Sequence, residues 1–437
     1  MFSLGRQSLL LIPCFSERGI VMKIIHPICC GVDVHKRTIV ATIAATGQNN
    51  ITSYSTKSFS TLNSDLFAFR DWLLESDCRH VCMESTGKYW IPVFNILEPH
   101  VHVILTHPKY VHAIKGKKTD KKDSKWIADL FKHDLVKASF IPPKHVRSWR
   151  ELARYRAKLV YMRSSEKNRY QNCLTVSNIG LANVLSDAFG KTAQGIMKHV
   201  LSSKVFDEEK CKNLIKKSAK KKTDLIIQSV KSSSIQSDQK YKMNAAMAHM
   251  DFLDNAILKT ETELFVRMQP YYHFVEHIAG LPGISQLSAA LILAETGTDM
   301  NVFETAGHLT SWAGLTPANN ESAGKKKSVR ISRAGQFLKP LLVQCALAAV
   351  KNQKEPYFAN KYQRIRKRRG HKKAIIAIAR MMLVCIYHML KTGEVFKPSD
   401  YEEFQNPTPK RVVLNETNAF EFLRQQGYDV SILKKAM

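Results

Sequence analysis

Four carboxylates in the first third of the chain, Asp33, Glu84, Asp120 and Asp123, have types and spacing that could do chemistry. Asp33 lies in the strand-like run CCGVDVHKRTIVATIAA, and Glu84 closes the short run RHVCMEST. Asp120 and Asp123 sit in KGKKTDKKDSKWIADLFKHDL. On a strand, Val32 and Val34 face one way and Asp33 the other. On a helix, positions three apart share a face, so Asp120 and Asp123 point together. One acid in a strand, one at a neighbouring strand's end and two on a following helix can converge on one point. Clustered carboxylates repel, and lysines or bound Mg²⁺ must relieve that repulsion. Two such ions about 3.5–4 Å apart could clamp the attacking and leaving oxygens of a phosphodiester. The competing reading is a solvated helix face whose charges offset one another.

The elements that must position these acids are legible around them. Residues 26–143 read as a hairpin of strands followed by alternating strands and helices, an α/β domain with a mixed sheet. ITSYSTKSF alternates with period two, residues 62–76 and KYWIPVFNILE have helical spacing, and HVHVILTH is a strand. The stretch carrying Asp120 and Asp123 becomes a helix from about Lys121. Residues 1–25 read as a disordered leader, with Met22 competing with Met1 as the natural start.

Residues 144–272 read as a helical, coiled-coil-like arm. HVRSWRELARYRAKLVYMRSSEKNRYQNCL holds nine basic residues, His145 included, against Glu151 and Glu166. Its apolar stripe is Leu152, Tyr155, Leu159 and Met162; a second stripe runs through Met243, Met247, Met250, Ile257, Leu264 and Met268. KKSAKKKTD and KSSSIQSDQK between them read as loops. An arm that only dimerises and an arm that also touches phosphates are both open. Residues 273–395 form a helical C-terminal domain. In it HIAGLPGISQLSAALILAETG reads as helix, tight turn, helix: either a helix-hairpin-helix whose turn amides receive a phosphate, or a glycine turn joining two core helices. NNESAGKKKSVRISRAG reads as a polar loop. Residues 396–437 form a tail with no readable chemistry.

Composition bounds the partners. The 437 residues carry 66 Lys+Arg against 37 Asp+Glu, a net charge of +29, and the pI is near 9.7. An excess of that size repels itself unless a polyanion is present, and nucleic acid is the first candidate. KYQRIRKRRGHKKA, with eight Lys/Arg in fourteen residues, suits phosphate contacts. No apolar run long enough to span a bilayer is expected, so membrane is excluded as a partner. Nine scattered cysteines without a C-x-x-C pair read as reduced thiols in a cytoplasmic protein rather than a zinc site.

GVDVHK around Asp33, MESTGKYW around Glu84 and KTDKKDSKWIADL around Asp120 and Asp123 resemble the Asp-Glu-Asp-Asp transposases of bacterial insertion sequences. GLPGISQLSAALILAETG, HLTSWAGLTPANNESAGKKKS and HKKAIIAIARMMLVCIYHMLKTGE continue the likeness, which covers nearly all of residues 28–395. The resemblance implies a ribonuclease-H-like N-terminal domain of the Holliday-junction-resolvase type, holding Mg²⁺ (or Mn²⁺) on the four acids. It implies an RNA-guided DNA recombinase whose structured guide RNA is encoded by the element. It also implies a nucleophilic serine, and Ser322 matches that position, with Ser328 and Ser332 close enough to be confused with it. Ala323 stands where many relatives are expected to carry glycine.

By itself a serine hydroxyl needs activation, and Ser322 in a polar loop could equally be inert. Phosphate contacts are expected from Lys117, Lys118, Lys121, Lys122, Arg150, Arg154, Lys325, Lys326, Lys327, Arg366, Arg368 and Arg369. The expected partners are double-stranded DNA, the guide RNA and further copies of the chain, as a dimer or tetramer whose sites are shared between protomers. The competing function is a metal-dependent DNA junction nuclease with water as the nucleophile. A nucleic-acid-binding scaffold with a degenerate site is the third reading, against which the intact four acids speak.

Overall fold

The computed structural model describes residues 22–84, 87–108, 119–203, 205–231, 233, 235–317, 320–322, 325–328 and 330–405. It adds short pieces at 15–16, 19–20, 419, 422–424 and 426–427, and gives no side-chain environment at 217 or 318–329. The chain divides into two compact units, Met1–Pro142 and Pro143–Met437.

The first unit is a six-stranded mixed sheet. Its strands are β1 (Ile28–Val34), β2 (Thr38–Thr46), β3 (Thr52–Ser60), β4 (His80–Glu84), β5 (His102–Thr106) and β6 (Ala138–Ser139). They lie in the order β3-β2-β1-β4-β5-β6. The β1–β2–β3 meander is antiparallel, β1, β4 and β5 are parallel, and β6 returns antiparallel. Helices α1 (Asn63–Glu75) and α2 (Trp90–Leu97) cover one face, where Cys30, Val32 and Val34 bury against Leu66, Phe69, Leu73, Val93 and Leu97. Helix α3 (Asp120–Lys132) covers the other, where Cys29, Ala44 and Cys82 bury against Ile127, Ala128 and Phe131. Strand alternation therefore puts Asp33 on the face of α3.

Residues 22–25 of the expected 1–25 leader are described, and their end is anchored on α3. The backbone N–H groups of Ile25 and His26 both donate to the carbonyl of Lys132. That carbonyl, at the end of α3, has no partner within its own helix.

In the second unit α4 (Lys144–Val176) and α9 (Ser237–Met268) form a hairpin of 33- and 32-residue helices. Leu159, Leu253 and Ile257 make its seam. The α9 stripe is buried largely as expected, but Tyr155 and Met162 of the α4 stripe are 55% and 47% exposed. Of the two segments expected to be loops between these helices, KKSAKKKTD is largely helical, while KSSSIQSDQK is non-helical at 233, 235 and 236 and enters α9 at Ser237. Lys217–Lys222 is a 3₁₀ turn leading into α8 (Thr223–Lys231), after α5 (Leu181–Val184), α6 (Lys191–Ser202) and α7 (Glu208–Leu214). Ile226, Ile227 and Val230 give α8 an apolar face that joins a core with Leu181, Ile196 and Met243.

The remainder packs α10 (Tyr272–Ala279), α11 (Gln286–Thr296), α12 (Ala306–Trp312), α13 (Leu338–Ala349), α14 (Tyr357–Arg369), α15 (His371–Thr392) and α16 (Tyr401–Gln405). The helix–turn–helix at Leu281–Ile284 is present. Gly283 there has φ +86°, and a Cβ on it would lie 2.6 Å from the Ala349 nitrogen. That side of the turn is thus packed on the end of α13 rather than turned toward a phosphate. The expected polar loop instead carries a short ladder, β7 (Asn320–Ser322) with β8 (Lys325–Ser328). Among the described residues α15 is long and apolar enough to cross a membrane, which the sequence reading had not expected. Its Ala374, Ile378, Met382 and Ile386 are fully buried in this unit's core.

Candidate metal centre

Gly31 and Thr42 set the position of α3 on the sheet. A Cβ at Gly31 would stand 2.2 Å from the Ser124 carbonyl oxygen and 2.3 Å from the Ala128 nitrogen, so the helix rests directly on the β1 backbone. The Thr42 and Ser124 hydroxyls share a 2.8 Å hydrogen bond that ties the same turn to β2. Thr119 caps the helix by accepting from the Lys122 N–H. With Ser124 fixed over Gly31, Asp120, one turn earlier on α3, and Asp33, two residues along β1, meet above the sheet.

His35 joins them. Its Nε2 lies 3.2 Å from Asp33 Oδ2 and 3.5 Å from Asp120 Oδ1. Asp33, His35 and Asp120 each present one ligand atom, all within 4.8 Å of one another. Pairing of Gly31 with Cys82 and Val32 with Met83 brings Glu84, one residue further, level with Asp33 on the same sheet face. Asp33 is 7% exposed. Burial raises the pKa of its carboxyl above the ordinary value, His35 opposes this, and Asp120, Glu84 and Asp123 raise it further. The other three expected acids therefore all act on Asp33. Two carboxylates and an imidazole at this separation fit a divalent cation, and the acid-rich set suits a hard one.

The pair Asp33–Asp120 was foreseen; His35 was not, although it stands two residues after Asp33, where a strand side chain returns to the same face. Gly31 was also passed over, since its role is to meet a helix whose location no local pattern reveals.

The expected phosphate contacts fare unevenly. Lys121 and Lys122 are exposed on α3, and Arg366, Arg368 and Arg369 on α14. Lys117 and Lys118 lie outside the described residues. Ser322 ends β7 and pairs in register with Lys325, Lys326 pairs with Glu321, and Lys327 lies between Lys326 and Ser328 on β8. Ser332 is differently employed: its hydroxyl accepts the Ala334 N–H and its carbonyl accepts from Lys339.

Arg150 and Arg154 have partners within the protein. Arg154 donates from Nε and Nη2 to the two carboxylate oxygens of Glu295, at 2.8 and 2.9 Å. Arg150 donates to the carbonyls of Ala294 and Glu295. Glu295 is 5% exposed, so these guanidiniums neutralise a buried acid of α11, with 37% of the Arg154 side chain still exposed.

Residues 30–179 match the family model for the DEDD transposase of IS110, described as Transposase, and residues 275–363 match the model Transposase IS116/IS110/IS902 family. The chain is 32% identical over 149 residues to the insertion element IS900 uncharacterized 42 kDa protein of Mycobacterium paratuberculosis, covering 34% of this chain and 37% of that one. It is 30% identical over 122 residues to the insertion element IS110 uncharacterized 43.6 kDa protein of Streptomyces coelicolor, covering 28% and 29%. Each match thus spans less than two fifths of the relative's own length. The first matched region holds the sheet and its acids, the second the β7–β8 ladder. The chain belongs to the IS110 family of transposases.

Proposed function

We propose that this chain cuts and rejoins DNA strands as the transposase of an insertion sequence. The observation that carries the reading is Asp33: a carboxyl buried near the end of a central strand, with Asp120, Glu84 and Asp123 all pressing its pKa upward. A fold keeps such mutual repulsion where a cation is to be held. We read the sheet as ribonuclease-H-like, of the Holliday-junction-resolvase type, followed by a helical arm and a helical C-terminal domain.

Asp33, Glu84, Asp120 and Asp123 would hold Mg²⁺, with Mn²⁺ able to substitute; bound there, it would supply charge neutralisation at a scissile phosphate. Lys121 and Lys122 on the same helix would hold neighbouring phosphates. Ser322 attacks the phosphorus: its Oγ–P bond forms as one P–O bond of the strand breaks. The serine's proton leaves, and the released end departs as a hydroxyl. The phosphoserine conserves the bond energy, so a hydroxyl of the partner strand can reverse the step. Lys325, Lys326, Lys327, Arg366, Arg368 and Arg369 would line the phosphate path. Target choice would rest with a structured RNA encoded by the element, and the active assembly would be a dimer or tetramer.

The test is a covalent protein–DNA adduct, trapped by denaturing the reaction with element-end DNA and Mg²⁺. The adduct is expected with the unaltered chain and absent in Ser322→Ala. Strand cutting without an adduct, and surviving Ser322→Ala, would instead identify the water-dependent junction nuclease. Mixing Asp33→Asn with Ser322→Ala tests sharing of acids and serine between protomers: restored activity supports it. Sequencing the RNA that purifies with the chain tests the guide, since one dominant transcript is expected.

A further inference from the structure

The second unit contains a groove of about 1100 Å³, of whose lining the reading above uses Arg369 alone. Its floor is the outer stripe of α15, with Ile376, Ala377, Met381 and Val384 all part-exposed. The opposite stripe of the same helix is sealed in the core. Its rim is basic, formed by Arg330, Arg369, Lys372, Lys373 and Arg380. Among the described residues the one acid lining it, Asp400, is already held by Lys361 at 2.5 Å and by the Tyr357 hydroxyl at 2.7 Å. One wall is formed by Leu315, Pro317 and Ile331, and Pro317 and Ile331 bridge the two segments that lead into and out of the β7–β8 ladder.

An apolar floor under a cationic rim defines the occupant's chemistry. Anionic groups must lie along the edges while flat apolar surface covers the middle. A duplex satisfies only the first demand, because its bases are stacked and paired inside. Unpaired nucleotides satisfy both, with phosphates on the rim and base faces on the floor. The volume exceeds the roughly 300–1,000 Å³ of pockets for single small ligands, which suits more than one nucleotide. Aliphatic side chains read no hydrogen-bonding edge, so the groove should tolerate any base.

We propose that this groove receives an unpaired stretch of nucleic acid beside the ladder that carries Ser322. The inference rests on the reading that the chain handles nucleic acid, and it names the form handled here. The strand assigned here is DNA opened beside Ser322, the residue to which that reading gives the attack on DNA; an RNA loop shares this chemistry and is the alternative the test distinguishes.

The experiment measures fluorescence anisotropy of labelled oligo-dT, oligo-U and a mixed-sequence duplex of equal length on the full chain. Ala377→Trp fills the floor without changing charge. It should weaken single-strand binding about tenfold, the order of one lost base contact, and leave duplex binding unchanged. Arg380→Glu should weaken single strands and flatten their salt dependence. Preference for oligo-dT would assign the groove to DNA, and preference for oligo-U to RNA. A folded Ala377→Trp that binds single strands as before, or loses strand and duplex equally, overturns the proposal. Should that variant fail to fold, 4-thiouridine or 4-thiothymidine crosslinking to the unaltered chain decides: adducts on residues 376–384 support the groove, and adducts only elsewhere overturn it. None of these readouts involves cutting, so failure here leaves the adduct test standing, and failure of the adduct test leaves this binding measurable.

Discussion

Helices α3 and α4 both look in sequence like basic segments carrying a few acids, yet the fold uses their charges in opposite ways. On the first turn of α3, Asp120 and Asp123 stand close enough to the buried Asp33 to act on it, while Lys121 and Lys122 stay in solvent. Like charges are brought together. On α4 the arginines are matched with acids remote in sequence: Arg154 with Glu295, Arg156 with Glu261 at 2.6 Å, and Arg163 with Asp254. Unlike charges are brought together. Paired charges hold a structure and leave little for a ligand, whereas gathered like charges raise the energy of the fold until a counterion arrives. Charge count along a helix therefore says nothing about its use; the partners do.

The comparison breaks first at Asp33. Asp33→Asn should abolish strand cutting, by about a thousandfold or more, the several kcal/mol a metal contributes to such a reaction. The same change should raise the melting temperature in EDTA at neutral pH. The folded state holds the Asp33 proton more tightly than the unfolded chain does, so native Asp33 loses stability as pH rises through its folded pKa. The advantage of asparagine should accordingly vanish below the ordinary carboxylate range. An asparagine variant that melts lower at neutral pH would show that the acids are not in conflict.

Glu295→Ala removes the partner of Arg154 and should destabilise the second unit by about 3–5 kcal/mol, as for other broken buried pairs. Chemical denaturation measures it, and a loss below about 1 kcal/mol would return these arginines to the surface class. Gly31→Ala comes next. Its methyl must push α3 off β1, costing about 1–3 kcal/mol and separating Asp120 from Asp33. Thermal melting with and without Mn²⁺ reads both effects, and Mn²⁺ should stabilise this variant less than the parent.

His35→Ala should weaken Mn²⁺-dependent stabilisation by about tenfold in apparent affinity, in the range seen when metal-site support is removed. Unchanged affinity would leave the imidazole as a bystander. Lys121→Ala is the smallest change: it should lower the salt slope of DNA binding by about one without altering sequence preference.

The strands and helices of the first unit were legible because each strand alternates or clusters β-branched residues between turn signals, and each helix carries its own apolar face. The acids were legible for a related reason: local geometry alone decides that Asp33 opposes Val32 and that Asp120 and Asp123 share a face. The separate short helices between Leu181 and Lys231 could not be told apart within the helical arm, since lysine-rich segments such as KKSAKKKTD have few apolar positions to mark a period. They fold by lending those few to a core built from α4 and α9.

The sequence by itself determined the mixed sheet, the hairpin of long helices, and an acid set whose spacing points to a cation, because those follow from periods of two and 3.6 residues. Only the tertiary structure decided that His35 stands between Asp33 and Asp120, that Gly31 is a helix-bearing surface, and that Arg150 and Arg154 are spent on Glu295. Each of those depends on which element lies across from which. Electrostatic and steric interactions act through space over a few ångströms, and a local sequence pattern records only the neighbours along the chain.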